Sequence, residues 1–115
     1  MKKLIIATTG AALLSGNAMA EIIWKDYKTA GQQGADRVMN IYIAGASESL
    51  GAANAQLQIE RKPLLYCQPR SLSLNTGNVR AMLDNDQSRV VARLTDDVPL
   101  STAVFYVLRE TFPCK

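Results

Sequence analysis

Two cysteines constrain this chain more than any other feature. Cys67 stands in LLYCQPR and Cys114 in the closing FPCK, and there is no third. Two thiols permit one intramolecular pairing, and in an exported protein such a pair oxidises. The pattern predicts a Cys67–Cys114 disulfide that pins the last turn of the chain to its middle. The bond closes a loop of about 48 residues, for which the chain-entropy model gives about 4 kcal/mol. That helps a domain of this size, which buries a limited fraction of its surface and whose tail would otherwise fray. Redox or metal use of the thiols is disfavoured. There is no CxxC and no histidine, so a structural zinc would need two more ligands from carboxylates alone.

Export itself is read from MKKLIIATTGAALLSGNAMA. Lys2 and Lys3 form a positive start, Leu4 to Leu14 is mostly apolar, and Ala18-Met19-Ala20 has the small-x-small form of a cleavage site. This predicts a secretory signal peptide over 1–20, cleaved after Ala20, and a periplasmic single helical domain over 21–115. The apolar run is well short of the ~20 residues that span a bilayer, so no membrane span is expected in the mature form. The whole chain carries 13 basic and 10 acidic residues, and without Lys2 and Lys3 the balance is 11 to 10. No field remains to attract nucleic acid or anionic lipid.

Apolar residues recur at helical spacing along the mature chain. In EIIWKDYKTAGQQ, Ile23, Tyr27 and Ala30 align, joined by Trp24, and Gly31 and Gly34 bracket a break. The segment from Ala35 to Lys62 has the strongest period. Met39, Ile43, Ala46, Leu50, Ala53 and Leu57 form one face, widened by Val38, Ile41, Tyr42, Gly45, Ser49 and Ala52. Gly45 and Gly51 each cost about 1 kcal/mol in a helix, which predicts that another helix packs closely on this small-residue face or that the helix bends there. Asp36 suits the first turn, and Pro63 is expected to end the helix. PLLYCQPRSLS is an extended connector in which Leu64, Leu65 and Tyr66 cross the core and aim Cys67 at its partner.

Val79, Met82, Leu83, Val90, Val91 and Leu94 predict a third helical segment capped by Ser73 or Asn75 and interrupted at DNDQS. In the last segment Leu100, Ala103, Val104, Val107, Leu108 and Thr111 form a buried stripe, with Asp97 as cap, Pro99 in the first turn and Pro113 as the stop. The expected fold is all-α: a compact bundle of four or five helices with one disulfide.

Catalytic chemistry is hard to build from these residues. Without histidine there is no imidazole base and no Ser-His or Cys-His pair. AGASESLG follows no strand and lacks the P-loop lysine. Asp84 and Asp86 lack the ligand order of a calcium loop. The chain reads as a binding protein, not an enzyme, with no cofactor and no metal.

Three stretches carry a resemblance: YIAGASESLGAANAQL, LLYCQPRSLSLNTGNVRAML and VPLSTAVFYVLRETFPC. With Tyr42–Gly45 in the long helix, Cys67–Pro69 and the terminal Phe112–Cys114, the chain resembles the Rap/Tai family of type VI secretion amidase immunity proteins. The resemblance implies a periplasmic protein that binds a cognate peptidoglycan amidase effector and blocks its groove with a loop. Some members act as dimers, so a homodimer is among the implied assemblies. The contact loops are then expected at Gln68–Thr76 and Asp84–Ser88. Gln68 would be among the contact residues, Arg70 and Asn75 would hydrogen-bond at the cleft, and Asp84, Asn85 and Asp86 would oppose a basic rim. A small periplasmic stress chaperone and an envelope-complex adaptor are the alternative readings.

Overall fold

The computed structural model describes residues 21–30 and 34–115. The expected signal peptide and Gly31 lie outside them. The fold is all-α, with four α-helices, one short 3-10 turn and no strand among the described residues.

The first helix, α1 (Trp24–Ala30), places Trp24, Tyr27 and Ala30 inward at the expected spacing. The Trp24 and Tyr27 rings stack with centroids 5.2 Å apart. The chain then reverses. Ala35 N donates to Ala30 O at 2.9 Å, and Gly34 sits at φ 70°, a conformation that disfavours any side chain. The long helix α2 (Asp36–Ile59) follows. It ends earlier than Pro63 would require. Arg61 takes φ 57°, and Lys62 N donates to Leu57 O at 2.9 Å. A left-handed turn thus closes the helix before the proline acts.

Helix α3 (Thr76–Leu83) begins at Asn75, whose side chain accepts from Asn78 N at 2.8 Å while Asn75 N donates to Asn78 Oδ1 at 3.1 Å. The reciprocal pair satisfies two orphan donors. Asn75, not Ser73, is the cap. DNDQS does interrupt the helical pattern, and only a 3-10 turn (Val91–Arg93) follows it. Helix α4 (Leu100–Thr111) has no side-chain cap. Pro99 occupies the capping position, and Asp97, the expected cap, instead accepts from Thr95 Oγ1 at 2.6 Å. The start of α4 is held by main chain: Trp24 N donates to Val98 O at 2.8 Å and Leu100 N to Ile22 O at 2.9 Å.

The core forms where α2, α3 and α4 meet under α1. Ile43, Val79, Leu83, Leu100, Val104, Val107 and Leu108 are fully enclosed. Each contributes roughly 1.5–3 kcal/mol by leaving water. The α4 stripe is as expected except for Thr111, which is exposed. Helix α2 behaves differently. Met39 and Ile43 are buried, Ala46, Leu50 and Leu57 are half-buried, and Ala53 is exposed. Among the described residues no helix packs on the small-residue face at its glycines: nothing comes within 4 Å of a Cβ built at Gly45, and at Gly51 only the Tyr66 hydroxyl does, at 3.8 Å. Val38, Ile41 and Ile59 on the same helix are 56%, 67% and 76% exposed. The apolar period is broader than the surface that α3 and α4 can cover.

Candidate functional site

The connector after α2 is held at every step. Asn54, a polar residue on the inward side of α2, uses both ends of its amide: Nδ2 donates to Tyr66 O at 2.8 Å, and Oδ1 accepts from Leu65 N at 2.7 Å. Cys67 is bonded to Cys114, with Cα atoms 5.0 Å apart. Cys67 N also donates to Phe112 O at 2.8 Å. Beyond the disulfide, Leu72 N donates to Pro69 O at 3.1 Å and Gln68 Nε2 donates to Leu72 O. The capping box at Asn75 fixes the far end. The result is a braced loop with Arg70 and Ser71 at its exposed tip.

Between this loop and α2 lies a cleft of about 450 Å³ with mixed polar and apolar walls, lined by Ser47, Glu48, Gly51, Tyr66, Gln68, Arg70 and Ser71 to Leu74. A second hollow of about 260 Å³ shares Gly51, Tyr66, Gln68 and Arg70 with it and extends toward Asn54 and Gln58. Tyr66 is only 3% exposed, and burial pushes its hydroxyl above its ordinary pKa.

The six residues expected to touch a partner have different positions. Arg70 is exposed at the loop tip, and it meets no carboxylate among the described residues. Gln68 lines the cleft and braces the loop. Asn75 is engaged as the α3 cap. Asp84 accepts the Tyr27 hydroxyl at 2.6 Å, and Arg80, 5.5 Å over the Tyr27 ring, reaches Asn40 at 2.9 Å and Asp36 at 3.2 Å. This polar set joins α1, α2 and α3. It holds the Tyr27 hydroxyl far above its ordinary range, through burial first and the Asp84 carboxylate second. Asn85 accepts from Gln87 N at 3.0 Å within its own turn. Asp86 is exposed, with Gln87 Nε2 at 3.5 Å.

The second loop is clamped from α4. Ser88, 6% exposed, donates to Glu110 Oε2 at 2.5 Å, and Arg89 N donates to Glu110 Oε1 at 3.0 Å. The Ser88 hydroxyl and then the Arg89 and Val90 amides hold the Glu110 carboxyl below its ordinary value. The two loops stand on different supports, the first on α2 and the tail, the second on α1 and α4.

Sequence reasoning missed Glu48, Gly51, Asn54 and Tyr66 as parts of the cleft. Asn54 carried a signal, a polar residue between Leu50 and Leu57 on the apolar face. The other three carried none, because only the return of the 66–74 segment onto α2 brings them together. A separate apolar groove of about 610 Å³ runs between α2 and α4, lined by Ile41, Tyr42, Gly45, Leu50 and Phe105 among others. Arg109 lies across the Phe105 and Tyr106 rings, 5.1 and 5.3 Å from their centroids. Among the described residues no helix is long and apolar enough to cross a membrane.

No family model matches the chain, and no curated protein and no solved structure matches it.

Proposed function

We propose that this is a periplasmic immunity protein that binds and inhibits a type VI secretion peptidoglycan amidase, by recognition and without catalysis. The observation that carries the reading is the braced loop. A disulfide at one end, a capping box at the other and two internal hydrogen bonds present Arg70 on a pre-ordered tip. A loop already ordered loses less entropy when it enters a cleft. Asp86, at the tip of a loop clamped by Glu110, offers a second preorganised charge. The signal peptide expected from the sequence, one disulfide and the resemblance in the Cys67–Pro69 and Phe112–Cys114 segments support the same reading.

The test mixes the purified protein with an amidase effector from the same cell and follows peptidoglycan cleavage. Stoichiometric inhibition is expected, weakened about tenfold or more by Arg70→Ala and Asp86→Ala together. Full inhibition by that double variant would remove the loops from the mechanism, and no inhibition by the native protein would remove the function. One observation favours a second reading, a client-binding envelope chaperone or an adaptor: the open apolar groove between α2 and α4. Suppression of aggregation of an unrelated unfolded protein, without amidase inhibition, would select it.

A further inference from the structure

We propose that the cleft under the 67–75 loop binds a short peptide carrying a free amino group and a free carboxylate. The inference does not depend on the inhibitory reading, because it concerns the isolated protein.

Three observations carry it. The first is Tyr66. Its ring is almost wholly buried, while its hydroxyl makes no hydrogen bond among the described residues and reaches the surface at the cleft. It lies beside Gly51, at 3.8 Å from the position of a Cβ there, and both residues line both parts of the cleft. No buried side-chain polar atom among the described residues lacks a partner, so this hydroxyl is open to the cleft and free to bond a ligand. The second is charge. Glu48 and Arg70 line the same cleft without pairing with each other or with any other described group. The third is size: about 450 Å³ falls in the range of small-ligand sites.

These features select the ligand by exclusion. A phosphate-bearing ligand would meet Glu48 as well as Arg70. An apolar ligand would leave the Tyr66 hydroxyl unpartnered. A neutral sugar would displace water from two charges and return no counter-charge. A di- or tripeptide supplies a carboxylate for the Arg70 guanidinium, an ammonium for Glu48 and, between them, amide carbonyls that accept from Tyr66. Extended, three residues span about 10 Å. Gly51 keeps the floor low enough for main chain to approach.

Triglycine is the probe, titrated into isotope-labelled protein and followed by amide chemical shifts. Saturable shifts are expected at residues 47–51 and 66–74. C-terminal amidation of the probe should weaken binding about tenfold in the native protein and leave affinity unchanged in Arg70→Ala. N-terminal acetylation should do the same in the native protein and not in Glu48→Gln. Tyr66→Phe tests the hydroxyl and should weaken both forms of the probe alike. The well-dispersed spectrum of each variant reports its fold. No saturable shift up to about 20 mM triglycine, or equal sensitivity to both caps in the native protein and the two charge variants, would overturn the proposal.

Discussion

Removal of the crosslink by Cys67→Ser with Cys114→Ser gives the sharpest test of how this fold is held. Cys114 is exposed, and the Cys67 N to Phe112 O hydrogen bond is made by main-chain atoms that the substitutions leave in place. Little native packing is therefore lost, and the effect falls on the unfolded chain. With a sequence separation of 47 residues, loop-closure entropy gives about 4 kcal/mol at 25 °C. That is a large part of the ~5–15 kcal/mol by which small domains are stable. With a urea slope of about 1–2 kcal/mol per molar, the unfolding midpoint should fall by about 2–4 M. Urea unfolding followed by far-ultraviolet circular dichroism measures it, with the same variant and with reductant-treated native protein. The native baseline should keep its helix content. A midpoint within about 0.5 M of the native value, at unchanged slope, would refute the claim that the bond acts by restricting the unfolded chain.

Three further outcomes are expected. Glu110 has its folded pKa depressed by Ser88 and the Arg89 amide, so its stabilisation is present above the unfolded carboxyl value and is lost as pH falls through the folded one. Thermal melting between about pH 5 and 3 should therefore be steeper in the native protein than in Glu110→Gln, and the variant should also speed amide exchange at Arg89 and Val91. Tyr27 and Tyr66 have raised folded pKa values, a contribution fully present below the unfolded tyrosine value and lost as pH rises through the folded one. Ultraviolet titration should show their ionisation only as helix is lost, and Tyr27→Phe should remove part of that late absorbance. Asn75→Ala breaks the α3 capping box and should lower unfolding free energy by about 1 kcal/mol, measured by denaturant titration.

Much of the fold was legible because its determinants are local or unique. The α4 stripe from Leu100 to Leu108 is buried residue for residue, since α4 packs against both α2 and α3. The Asn75 signal worked because a side chain that bonds the third amide beyond it needs no distant partner. Helix α2 was read less well. Its apolar pattern runs from Val38 to Ile59, but periodicity cannot say which part of a helix has a neighbour. Asp97 resembled a cap and is instead bonded to Thr95. Asp84 and Asn75, expected at a partner surface, are exposed and also bond within the fold.

Sequence alone determined the helical period, the single cysteine pairing and the lack of any imidazole chemistry. Each is a property of residue identity and short-range spacing, so no tertiary knowledge was needed. Only the tertiary structure decided that Tyr66 comes to lie beside Gly51, that Glu48 and Arg70 line one cleft with them, and that one side of α2 stays uncovered among the described residues. Those facts depend on where a connector lands after the chain reverses, and the landing point is set by Asn54, Cys114 and Phe112, groups far away in sequence that pull on the same few residues.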